Sequence, residues 1–176
     1  MIMPRGQQLL LPANPLFVFF SLLVALLLDM VQNIALFGNA NWAPEIMAVV
    51  LVFWGIHQPL KVGIGTAFLF GLLTDVHQSS MLGQHALAFT AQGFFAIMIH
   101  RRILWFKLSS QSLQVFPLFI VGHLIELTLR MSSGSPFPGW GIFLSPVIQA
   151  LMWPLVTEIL LAPQKRSPNP DNTRPL

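Results

Sequence analysis

A chain of 176 residues in which 55% are hydrophobic and only 9% charged has too few charges to coat a water-soluble globule. Its formal charge of +3 is small and dispersed, which excludes an electrostatic nucleic-acid surface, and the lack of cysteine excludes disulfides, thiolate metal sites and cysteine nucleophiles. Composition therefore specifies an integral membrane protein, with room for several crossings at ~20 apolar residues each and none for a second soluble domain.

Six apolar runs, separated by polar or proline-rich breaks, are predicted as transmembrane helices at about 15–37, 43–56, 62–75, 83–99, 112–130 and 141–162. The first is longer than a signal-peptide core and holds Asp29, so it reads as a retained helix. The second and third are short. At ~1.5 Å per residue, fourteen residues reach roughly 21 Å, less than the ~30 Å hydrocarbon core. Such helices need thinned lipid, shelter from other helices, or a re-entrant hairpin. A hairpin would sink Lys61 into the bilayer at ~2.5 kcal/mol or more, which favours six true crossings.

The third run carries Gly63, Ala67, Gly71 and Asp75 at four-residue spacing, one helical stripe of small residues ending in an acid. A small-residue stripe permits close helix contact. It does not account for the carboxylate, which can accept hydrogen bonds from the following loop, cap the fourth helix or meet a basic partner. Leu82, Gly83, Ala86 and Leu87 follow after a short polar gap.

Pro44, Pro117 and Pro146 are expected in or near first helical turns, where a missing N–H does no harm. Pro154 lies inside the sixth run, removes a bond to the Ala150 carbonyl and is expected to kink the helix. Trp42, Trp54, Trp105 and Trp140 lie near predicted helix ends, as interfacial anchors do. Residues 1–162 thus form one all-α, polytopic membrane domain, and 163–176, rich in proline, read as a disordered cytoplasmic tail.

Basic residues set the orientation. Arg5, Lys61, Arg101, Arg102, Lys107, Lys165, Arg166 and Arg174 fall on one side and only Arg130 on the other, so both termini are expected in the cytoplasm. Asp29, Asp75, His77, His85, Glu126 and Arg130 then gather toward the outer half of the membrane. Glu126 and Arg130 have the i, i+4 order of a helical ion pair, with His123 near the same face. Two readings stay open for Asp29, Glu126 and Arg130: a polar pocket that binds a ligand or relays protons, or pairs that satisfy one another between helices. His77 and His85 are expected at a loop where water solvates them.

Enzyme signatures are lacking. His123 and Glu126 give only H-x-x-E, without the H-E-x-x-H of zinc proteases; Gly134 and Ser135 make no G-x-S-x-G elbow; no phosphate-binding loop occurs. Neither catalysis, a cofactor nor a bound metal is expected.

With these residues in view, the sequence resembles the bacterial rod shape-determining MreD family. The likeness rests on Asn41 and Trp42, Phe53 and Trp54, Pro59, then Val62, Gly63, Gly65, Phe68, Gly71 and Asp75, continuing through Leu82, Gly83, Leu87 and Ala88, with Trp153 and Pro154 in the sixth run. The resemblance implies a helical plan similar to the substrate-binding components of vitamin transporters, and a role as a non-enzymatic scaffold of peptidoglycan synthesis in the bacterial inner membrane. It also implies MreC as a partner and, through it, MreB, RodZ, RodA and a penicillin-binding transpeptidase, with homo-oligomerisation left open. The fifth run carries no family motif. The competing function is a small-molecule-binding membrane component resembling a vitamin-transporter substrate subunit, motivated by the polar outer cluster.

Overall fold

Apolar runs in lipid must satisfy every backbone group internally, and helices do so. The computed structural model describes residues 13–36 and 42–164, and among them are six α-helices and no strand. They are α1 (Pro15–Val31), α2 (Ile46–His57), α3 (Ile64–His77), α4 (Gln84–Ile103), α5 (Leu108–Ser132) and α6 (Leu144–Leu161). A π-helical turn, Gln32–Leu36, extends α1, and 3₁₀ turns flank α6 at Trp140–Phe143 and Ala162–Gln164. The chain is a polytopic membrane protein. Among the described residues three helical segments are long and apolar enough to cross a bilayer, and α2 and α3 are the shorter apolar helices.

The short second helix is at the centre. Met47 through Ile56 are all buried, enclosed by α1, α4 and α6, so of the routes open to a helix only ~18 Å long, shelter by neighbours is the one it takes. Trp54 is accordingly no interfacial anchor: it is fully buried and its indole N–H donates to Ser21 Oγ at 2.8 Å. By contrast α3 turns Phe68, Leu69, Leu73 and Val76 outward, and α1 and α6 present Leu16, Phe19 and Phe20 and Leu151, Leu155 and Ile159. These faces suit lipid. Trp105 and Trp140 are exposed at helix ends, as interfacial residues should be.

α4 packs against α2, α3 and α5. Small residues let it, because hydrocarbon supplies no hydrophobic drive between helices and close van der Waals contact must substitute. A Cβ on Gly93 would meet Ala67 Cβ at 3.3 Å and Leu51 at 3.6 Å, and one on Gly55 would meet Ala96 Cβ at 3.2 Å. At Gly71 the approach is backbone to backbone: a Cβ there would collide with Ala86 Cα and lie 2.8 Å from the His85 carbonyl oxygen. Gly63, expected in the same stripe, has nothing within 4 Å of such a Cβ, so close contact begins one turn later, at Ala67.

Pro117 also departs from expectation. Helix α5 starts at Leu108, four residues ahead of the apolar run, which leaves Pro117 in its interior rather than its first turn. Pro146 does fall in the first turn of α6, Pro44 precedes the N-cap of α2, and Pro154 lies within α6. Gln164 is buried and donates to the Leu160 carbonyl, so helical structure runs two residues into the stretch read as tail. The remainder of that tail, with Lys165, Arg166 and Arg174, lies outside the described residues, as do Arg5 and Asn41.

Candidate functional site

A helix leaves its first N–H groups without intrahelical partners, and burial makes that costly. At the start of α2 the N-cap residue Glu45 does not cap with its own side chain. Instead Asp29, on α1, accepts from Ile46 N–H and Met47 N–H, each at 2.8 Å, one amide per carboxylate oxygen. The approach to α2 is pinned from two further helical segments. Gln32 Nε2 donates to the Pro44 carbonyl at 2.8 Å and Ser145 Oγ to the Ala43 carbonyl at 2.9 Å.

The start of α4 repeats the device more fully. Asp75 accepts from the amides of Gly83 and His85 at 2.8 Å each, from Ala86 N–H at 3.4 Å, from Ser80 Oγ at 3.0 Å and from His85 Nδ1 at 2.8 Å. Gly83 caps at φ 100°, a left-handed conformation open to glycine at no steric cost. The stripe and its acid are thus one construction: Gly71 brings the α3 and α4 backbones together, and one turn on, the carboxylate meets the exposed amides of α4.

His85 joins the two caps. Its Nδ1 faces Asp75 and its Nε2 lies 3.3 Å from Glu45 Oε1. A ring that meets carboxylate oxygens at both nitrogens matches the imidazolium form, which alone donates from both. At 3% exposure His85 is not the solvated loop residue expected; the bundle closes over the start of α4. His77 stays half-buried near the loop.

Nor do Glu126 and Arg130 form the helical pair their spacing suggests: among the described residues no ion pair joins them. Glu126 and His123 are buried beside half-buried Glu45, and Glu126 Oε1 has no hydrogen-bond partner. His123 Nδ1 lies 3.0 Å from the Phe119 carbonyl oxygen. A cavity of about 770 Å³ opens over this region, lined by Asp29, Glu45, His85, His123, Glu126 and Arg130 among others. The structure therefore gathers Asp29, Glu126 and Arg130 around one cavity with Asp75 and Gly83 at its edge through His85, whereas Ala67 packs against α4, Gly63 is the open N-cap of α3 and Pro154 lies within α6. Sequence reasoning passes over Glu45, the residue that ties the caps together. Its signal was an acid just ahead of an apolar run, level with Asp29 and Glu126.

The sequence matches the family described as rod shape-determining protein MreD over residues 13–162. The rod shape-determining protein MreD of Haemophilus influenzae is 31% identical to it over 117 residues, which is 64% of this chain and 70% of that relative. No solved structure matches.

Proposed function

This chain belongs to the MreD family of rod shape-determining membrane proteins, and on that premise we propose that it is a non-enzymatic scaffold of the cell-wall elongation machinery in the bacterial inner membrane. In this reading it holds the transmembrane helix of MreC and, through MreC, helps position MreB, RodZ, RodA and a penicillin-binding transpeptidase along the cell cylinder. The family match over residues 13–162, nearly the whole described bundle, is the observation that carries it.

The architecture supports the reading. Carboxylate caps and backbone-close crossings make a stiff bundle, and the outward faces of α1, α3 and α6 offer apolar area to a partner helix as readily as to lipid. Lys61 donates to the Ala13 carbonyl at the end of the bundle away from the cavity, where Arg101, Arg102 and Lys107 are exposed. With that basic end cytoplasmic, both termini are cytoplasmic and the cavity faces outward.

Depletion in a rod-shaped host should produce round cells, and a plasmid copy should restore rods. Gly71→Leu, which forces α3 from α4, should reduce both rescue and co-purification with MreC. Rods persisting on depletion, with no paralogue present, would refute the scaffold role. The chain has no cysteine, so single cysteines at Gln78 or Ser133 and at Lys107 report sidedness cleanly. Labelling of the first two by an impermeant maleimide in intact spheroplasts, with Lys107→Cys protected, is the expected pattern.

A further inference from the structure

Glu45, His123 and Glu126 each bring one potential ligand atom within 4.8 Å of the others. They come from two elements, the N-cap of α2 and adjacent turns of α5. His123 faces the Phe119 carbonyl with Nδ1, so the neutral ring has its lone pair on Nε2. Metal-ligating histidines are oriented in the same way through the far nitrogen.

The carboxylates also have oxygens to spare. Glu45 engages His85 through Oε1 while its buried Oε2 has no partner. Glu126 is 5% exposed, and its Oε1 is likewise buried and unpartnered. Two carboxylates this close repel each other, which a cation between them reverses.

Acids outnumber cations over the whole region, with Asp29, Asp75, Glu45 and Glu126 against imidazolium His85 and Arg130.

We propose that Glu45, His123 and Glu126 bind one divalent transition-metal cation at the wall of the polar cavity. One imidazole and two carboxylates suit Zn²⁺ or a neighbouring first-row ion, and three protein ligands leave at least one coordination position open to the cavity for water or a solute oxygen. The site departs from the expectation, drawn from the bare H-x-x-E spacing, that no metal is bound: its third ligand comes from 78 positions earlier in the chain, Glu45 against His123. It does not depend on the scaffold role.

Zn²⁺ alone is the probe, offered to the untagged full chain in lipid nanodiscs in competition with a chromophoric chelator. One equivalent should be retained per chain. Glu126→Gln and His123→Phe should each weaken retention at least ~10-fold, while Arg130→Gln leaves it unchanged or tighter. X-ray absorption should give a first shell of nitrogen and oxygen at ~2.0–2.1 Å including one imidazole. Absence of saturable uptake by folded wild-type protein overturns the proposal, as does unchanged affinity in Glu126→Gln. Should either variant fail to fold, the wild-type absorption spectrum decides: a shell without imidazole, or with several, overturns it. Rod-shape rescue by Glu126→Gln tests the scaffold reading separately.

Discussion

The starts of α2 and α4 are solved by the same idea with unequal resources. Each buried helix end receives a carboxylate from the helix before it, and each carboxylate takes two amides at 2.8 Å. Asp29 stops there. Asp75 adds a third amide, the Ser80 hydroxyl and the His85 ring. The Asp29 carboxyl is therefore met by two amides at the α2 N-terminus, whereas that of Asp75 also has the His85 ring in contact. The lesson is that a buried acid in a membrane helix can be structural without an ion pair, and that ion pairing marks where two helices must also be registered against each other.

Removing the acids separates the two cases. Asp75→Ala should be the most damaging, by ~3–5 kcal/mol, because it leaves His85 Nδ1 and several amides without an acceptor and breaks a buried pair. Asp29→Ala should cost less, ~1–3 kcal/mol, for two unsatisfied amides alone. SDS-titration unfolding of the purified protein measures both, and equal or inverted losses would erase the distinction drawn between the caps. Smaller still, Gly83→Ala should cost about 1 kcal/mol for the left-handed cap that α4 has and α2 lacks, Glu45 standing at φ −84°. A neutral Gly83→Ala would mean that the α4 cap is held by side chains only. Finally, the Asp29→Ala and His85→Gln pair should show a coupling of ~0.5 kcal/mol or more, transmitted through Glu45; strict additivity would make the caps independent.

Much of this fold was legible because hydropathy reports what must sit in hydrocarbon. All six runs became helices. Their ends were less legible: α5 begins with Leu108, Ser109, Ser110 and Gln111, a polar first turn that an apolar window ignores, and so Pro117 was misjudged. The Gly71 and Asp75 relation was visible in spacing, since both ends of it lie on one helix. Glu45 and the burial of His85 were not, because they depend on which helices meet, and periodicity within one helix carries no such information. Trp54 failed for the same reason: position near a helix end suggests an interface only if that end reaches one. The i, i+4 rule for Glu126 and Arg130 lost to tertiary context, in which Glu126 turns inward toward Glu45 and His123.

The enclosure of α2 has a consequence for how the protein is made. A segment this short is badly matched to a bilayer by itself, and two of the helices that wall it in, α4 and α6, are synthesised after it. Its final seat exists only once the end of the bundle has been threaded, which predicts late, concerted assembly in place of assembly helix by helix. Chains truncated before α6 should accordingly retain a mismatched, lipid-exposed second helix and be cleared by membrane quality-control proteolysis.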